Sequence, residues 1–316
     1  MNNSTNHYIY PAILFIGILS VSTASILIRF AQEDAPSLTI AALRLLFASI
    51  ALAPFTWKYH RSDLKALTRH ELALGFLSGI FLAIHFACWI SSLEYTSVAS
   101  SVVFVCTGPI WIALLSPLIL KEKLSKSAFL GLGLTLIGAV LIATSGVCIW
   151  DRGISCPLLS DAFHGRAMLG NFLALAGAWA VSGYLMIGRR LLVKVLIIPY
   201  VFFVYSVAAL VLIIVMFAAG ESPFGYLPKT YIWLLLLALL PQLVGHSIYN
   251  WSLRFFPATI VAVTTLGEPV GSSILAYFIL QEKPGFIIFI GGVIILIGIY
   301  FAIRAAGKNK NLTPRE

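Results

Sequence analysis

A chain of 316 residues with 60% hydrophobic and only 10% charged side chains, at a mean hydropathy of +0.97, cannot cover itself with a water-compatible surface; soluble domains carry about 25% charged residues. The composition excludes a soluble enzyme or signalling domain and points to a chain that crosses a bilayer many times. The net charge of +9 would suggest nucleic acid in a soluble protein, but here the basic residues fall between apolar runs, so no nucleic-acid partner is expected.

Apolar segments of the roughly 20 residues that a spanning helix needs follow one another at 9–31, 37–57, 71–93, 96–120, 126–148, 167–189, 196–219, 231–253, 257–280 and 285–303. No period-two alternation is present, which excludes a membrane β-barrel. The opening MNNSTNHYIY has no Lys or Arg and reads as the start of a retained first helix rather than a cleaved leader. Arg29 ends span one, where a long basic side chain snorkels to the headgroups. Span two carries Arg44 within IAALRLL, about 10 Å deep at 1.5 Å per residue. Span three aligns His85, Trp89 and Ser92 on one face, and span four Thr107 and Trp111. Cys88 and Cys106 read as buried, inert thiols. The connection 149–166 is long, and its flanking Cys148 and Cys156 are candidates for a disulfide. Span six offers Trp179 and Ser182, span eight Gln242, His246, Tyr249 and Asn250, and span nine Thr264, Glu268 and Ser272. Spans five and ten are almost purely apolar, punctuated by Gly131, Gly138, Gly291 and Gly298, which suit close helix packing. Trp57, Trp150 and Trp233 read as interface anchors.

Lys and Arg favour cytoplasmic connections. With the N-terminus inside, the inner connections and the tail 304–316 hold fifteen of them and the outer connections four. Both termini are therefore expected in the cytoplasm, with the chain in the plasma membrane (the inner membrane in a Gram-negative cell).

The chain repeats itself. At a constant spacing of 160 residues, Ser92, Leu93, Val103, Pro109, Ile119, Leu120, Glu122 and Lys123 recur as Ser252, Leu253, Val263, Pro269, Ile279, Leu280, Glu282 and Lys283. Phe129, Gly131, Leu136, Ile137 and Gly138 recur as Phe289, Gly291, Leu296, Ile297 and Gly298. Five spans per unit is an odd number, so the second copy is inserted upside down. The expected fold is an all-α polytopic membrane protein of ten transmembrane helices in two inverted five-helix repeats, 9–148 and 167–303, followed by the tail. Inverted repeats are the architecture of many secondary transporters, with the substrate site at mid-membrane between the copies. His85 and His246 miss the repeat register by one position.

Arg44 in span two, the LGEPV segment with Glu268 and Pro269, the mirrored Pro109 and the hairpin acids Glu122 and Glu282 together resemble the EamA family of the drug/metabolite transporter superfamily. The resemblance covers essentially the whole chain. It implies ten helices around a central cavity and export of small metabolites by alternating access; the long 149–166 connection departs from it.

Glu268 lies about 17 Å from either membrane face, where a charge costs at least ~2.5–3.5 kcal/mol. Two readings stay open. In one, Glu268 forms a structural ion pair with Arg44, which fixes register more than it stabilises. In the other it faces the cavity and carries protons, since a carboxylate away from water binds a proton more readily, with His85 and His246 as companions. Trp89, Trp111, Trp179 and Tyr249 are expected to line the cavity, and His85, Gln242, His246, Asn250, Glu268 and Ser272 to hold polar groups of a small-molecule substrate. No metal cluster, phosphate loop or nucleophile constellation is visible, so no cofactor, metal or enzymatic activity is expected. The rival substrates are phosphorylated sugars or nucleotide-sugars, which need cavity cations. The rival class is a polytopic membrane enzyme. Besides substrate and lipid, the sequence leaves monomer and homodimer equally open.

Overall fold

The computed structural model describes residues 6–96, 98–144, 165–281 and 285–307, and among them every regular element is a helix. Residues 149–164 of the long connection, with Cys148, Trp150 and Cys156, and the hairpin residues Glu282 and Lys283, lie outside the described residues. In a bilayer each backbone N–H and C=O must be satisfied within its own segment, which a helix does.

The first span is two helices, α1 (Asn6–Ser22) and α2 (Ala24–Gln32). At their joint the Ser22 and Thr23 hydroxyls donate to the carbonyls of Ile18 and Ser20, each at 2.7 Å, a back-bonding that bends helices. α3 (Ser37–Tyr59) returns, α4 (Arg61–Lys65) makes a short turn, and α5 (Arg69–Tyr95) begins at a capping box of Thr68 and Glu71. Then come α6 (Val98–Val105), α7 (Gly108–Ile119), α8 (Lys126–Thr144), α9 (Gly165–Leu192) and α10 (Ile197–Ala218). α11 (Pro228–Leu237) passes through a π-helical turn, Ala238–His246, into α12 (Ser247–Ser252). α13 (Ala258–Thr265), α14 (Glu268–Leu280) and α15 (Phe286–Gly307) complete the chain.

Among the described residues eight helices are long and apolar enough to cross a membrane. The expected spans four and five are helical as well, but their apolar helices, Val103–Ile119 and Lys126–Ile142, fall short of that length. Span four is interrupted at Cys106–Thr107 and span nine at Leu266–Gly267. Pro109 and Pro269 sit in the first turn after each interruption, where the missing proline N–H would be unpaired in any case. Both broken spans end on a left-handed residue, Lys121 at φ 58° and Gln281 at φ 56°. The 160-residue spacing is thus carried by the backbone as well as the side chains.

α5 packs along α9, α3 along α10, α1 along the π-helical turn and α14, and α8 along α15. In the last pair glycines allow the backbones to touch. A Cβ at Gly131 would sit 2.6 Å from the Gly298 carbonyl oxygen and 2.8 Å from the Ala302 nitrogen, whereas one at Gly133 would meet nothing within 4 Å. Away from these seams large apolar side chains face outward, among them Leu118, Phe278 and Phe289, as acyl chains require.

Polar contacts tie each end of the bundle. At the end where α1 begins, Arg189 Nε donates to Glu122 Oε1 at 2.6 Å and Arg189 Nη1 to the Leu253 carbonyl at 2.5 Å. Glu122 Oε2 accepts from the Ala258 N–H at 3.1 Å, at the start of α13. At the opposite end Glu221 Oε2 accepts from the Thr39 N–H and hydroxyl, both at 2.9 Å. There Asp34 Oδ2 also accepts from the Leu227 N–H and the Thr230 hydroxyl, each at 2.7 Å. These two bonds, the Leu227 one foremost and with Lys229 adding to them, hold the Asp34 carboxyl below its ordinary value of 3.8.

Two predictions follow from these contacts. Gly131→Val should lower the thermal unfolding midpoint of the detergent-purified protein, at a cost of about 1–3 kcal/mol for overpacking against backbone; Gly133→Val should leave it nearly unchanged, and equal effects would contradict the close crossing. A carboxyl with a lowered folded value contributes stability fully above its unfolded value, lost as pH falls through the folded one. Amide-exchange protection at Leu227, normalised to intrinsic rates, should therefore hold from pH 8 to 5 and decline only below the ordinary 3.8. Asp34→Asn should weaken it already at neutral pH; protection indifferent to both would remove Asp34 from the strap.

Candidate functional site

Where the interrupted spans meet α3, α5, α9 and the π-helical turn, the bundle encloses a cavity of about 90 Å³. Its wall is drawn from α1 and α2 (Val21, Ala24), α3 (Arg44), α5 (His85, Trp89), α9 (Tyr184, Leu185), α12 with the π-helical turn (His246, Tyr249) and both interruptions (Cys106, Pro109, Thr265, Glu268). No residue of α8 or α15 lines it. Span two, absent from the expected interior, enters through Arg44.

Arg44 has no exposed surface. Its Nε donates to Gln242 Oε1 at 2.9 Å, its guanidinium carbon lies 4.2 Å from the Phe86 ring centroid, and Nη1 and Nη2 have no partner among the described residues. Glu268, the first residue of α14, is half-buried. Its backbone carbonyl accepts from the Ser22 hydroxyl at 3.2 Å. Among the described residues no ion pair joins its carboxylate to Arg44 or to any other group. The two charges share one cavity without touching.

The π-helical turn supplies the next layer. Pro241 lies within it, and a residue without an N–H cannot complete the α-helical bonding pattern; single wide turns of this kind recur at functional sites. The turn brings Gln242 to Arg44 and ends at His246, which packs edge-on against Phe86 at 5.3 Å between centroids. The one-residue mismatch between His85 and His246 falls where residues no longer advance at the α-helical angle. His85 donates its Nδ1–H to the Gly177 carbonyl at 2.9 Å, which assigns the tautomer, and stacks on Trp89 at 5.9 Å. Trp89 Nε1 and the Tyr249 hydroxyl are buried without a partner among the described residues.

The remaining expected site residues stand elsewhere. Trp111 and Trp179 contact each other edge-on at 5.5 Å, and Trp179 is 43% exposed on the outer surface beside Phe172; neither lines the cavity. A tryptophan stripe is as compatible with acyl chains as with a binding pocket, so helical spacing did not tell the two faces apart. Gln242 and Asn250 are buried one layer behind the wall. Asn250 Nδ2 donates to the Tyr184 hydroxyl and to the His246 carbonyl, the latter at 2.7 Å. Ser272 belongs to the seam between span one and α14, where its hydroxyl donates to the Ser22 carbonyl at 3.0 Å. The thiols expected to be buried are both half-exposed, and Cys106 lines the cavity. Phe86, Tyr184 and Thr265 were not anticipated from the sequence. A ring next to a mid-span histidine and a tyrosine in a run of small residues were the available signals.

The EamA-like transporter family matches the chain twice, over residues 9–144 and 168–304. An uncharacterized transporter of Archaeoglobus fulgidus is 24% identical over 300 residues, 94% of this chain and 97% of its own length. The pseudopaline exporter CntI of Pseudomonas aeruginosa is 23% identical over 286 residues, 90% of this chain and 93% of its own. A solved crystal structure shares the fold at a TM-score of 0.75 over 95% of this chain and 98% of its own, with 17% identity. With both halves matched, the chain belongs to the EamA-like transporter family.

Proposed function

We propose that the protein is a secondary transporter that exports small organic metabolites of the amino-acid type across the plasma membrane. Ten helices in two inverted halves would rock about a mid-membrane site, with both termini in the cytoplasm. The observation that carries this reading is the cavity itself, whose wall presents an unpaired cation, Arg44, and an unpaired acid, Glu268, among aromatic rings. A zwitterion with an apolar side chain fits that chemistry. Phosphorylated sugars fit it less well, because among the described residues Arg44 is the one Lys or Arg that lines the cavity. The direction of transport follows the name of the pseudopaline exporter. The inverted arrangement is supported by the paired interruptions, the paired left-handed residues and the α8–α15 crossing. Trp89, His85, His246 and Tyr249 surround the substrate; Gln242 and Asn250 act from behind, and Ser272 ties α14 to span one through the Ser22 carbonyl.

The cavity is far smaller than the roughly 300–1,000 Å³ of pockets that hold drug-sized ligands, so a substrate requires the walls to part. On this reading the Glu122–Arg189–Leu253–Ala258 contacts form the cytoplasmic latch. Arg189 and Glu122 are 13% and 19% exposed, and charge-assisted bonds of this length are the strong kind.

Proteoliposomes test both parts. Glu268→Gln should bind substrate yet lose its dependence on a proton gradient; transport that still follows the gradient would exclude Glu268 as the coupling group. With Cys106 kept as the sole cysteine, Glu122→Gln should speed labelling by an impermeant maleimide from the cytoplasmic face about tenfold, the factor that ~1.4 kcal/mol represents. An unchanged rate would mean that the contact is no latch.

A further inference from the structure

We infer that the terminal edge of Arg44 is the seat of the substrate's carboxylate, and that Gln242 and Phe86 hold it in position. The inference rests on the transport reading above and names what the cavity grips. The Nε bond to Gln242 Oε1 at 2.9 Å and the Phe86 ring 4.2 Å from the guanidinium carbon restrain the guanidinium plane. What remains is the outer pair of nitrogens, Nη1 and Nη2, buried and unpartnered among the described residues in a residue that lines the cavity. Two such groups side by side match the two oxygens of a carboxylate through parallel N–H···O bonds. A guanidinium shut away from water with its donors unmet is costly, so an occupant that satisfies them gains from both charge and hydrogen bonding.

Glu268 is the resident carboxylate of the same cavity, yet no ion pair links it to Arg44, which leaves the seat to a ligand. Its negative charge also sets the class of that ligand. A phosphate dianion would meet a single cation and a facing acid, whereas an amino acid offers its carboxylate to Arg44 and its ammonium toward Glu268. Gln242 is a positioning residue in this scheme. It has no exposed surface and does not line the cavity, and it reaches Arg44 from the π-helical turn around Pro241.

The test measures binding to the full-length purified protein by calorimetry, with L-leucine, L-phenylalanine and L-threonine against their carboxamides and sn-glycerol 3-phosphate. The amides keep the ammonium and side chain and lose only the anion. Wild type should favour at least one acid over its amide by about tenfold or more, as a site built for a polar group does. Arg44→Gln and Gln242→Ala should shrink that preference severalfold, while Glu268→Gln should retain it. If Arg44→Gln does not fold, Gln242→Ala, which keeps the charge, carries the test. Equal binding of acid and amide by wild type overturns the seat and leaves the transport reading standing, as does a preference that survives Gln242→Ala. Tighter binding of glycerol 3-phosphate overturns it in favour of a phosphate site. If wild type binds none of these probes, the substrate class fails and the seat with it.

Discussion

Water is absent from the hydrocarbon layer, and a helix interrupted there must be compensated by its neighbours. Besides the α1–α2 joint at Thr23, three interruptions among the described residues, at Cys106–Thr107, at Leu266–Gly267 and at the π-helical turn, lie around one point and are covered by the rest of the bundle. Each has a local cause. Pro109 and Pro269 restart a helix, and Pro241 removes an N–H from the middle of another. Because backbone can be irregular only where protein or a cavity surrounds it, the breaks and the cavity require one another. The long helices α3, α5, α9 and α10 supply the enclosure.

The helix breaks of spans four and nine recur at a spacing of 160 residues, and the charges of the cavity do not. The residue 160 positions before Glu268 is Gly108, and the one 160 positions after Arg44 is Val204. One acid and one base therefore stand outside the correspondence that pairs Pro109 with Pro269 and Lys121 with Gln281. The α8–α15 pair, glycine against glycine, stands apart from the cavity; the hydroxyls at its crossing bond backbone carbonyls, Ser127 to Phe301 across the pair and Thr135 to Gly131 within α8. Chemistry and scaffold are carried by different helices.

Much of this was readable from the amino acids because the bilayer imposes it. Apolar runs marked the helices; the breaks before Pro109 and Pro269 were not read from the sequence, although both prolines stood in the repeat. The depth of Glu268 and Arg44 marked the charged pair that faces the cavity. What escaped was rotation about the helix axis. Trp111 and Trp179 fitted a cavity-facing stripe, yet an indole is equally at home against acyl chains, and the structure turns Trp179 outward. Gln242 and Asn250 lay on the right face of span eight but one layer too deep, the Gln242 oxygen turned to Arg44 and the Asn250 nitrogen to Tyr184 and His246. The wide turn that displaces them was signalled only by Pro241. Separation between Arg44 and Glu268 could not be read either, since adjacency of helices does not decide whether two side chains meet.

The outward turn of Trp179 has a spectroscopic consequence. Of the six tryptophans among the described residues, Trp89 alone lines the cavity, whereas Trp57 and Trp179 are 60% and 43% exposed on the surface. Brominated phospholipids would dim the surface indoles, and an aqueous occupant of the interior would shift only the emission of Trp89, so intrinsic fluorescence separates what happens at the rim of the protein from what happens at its heart.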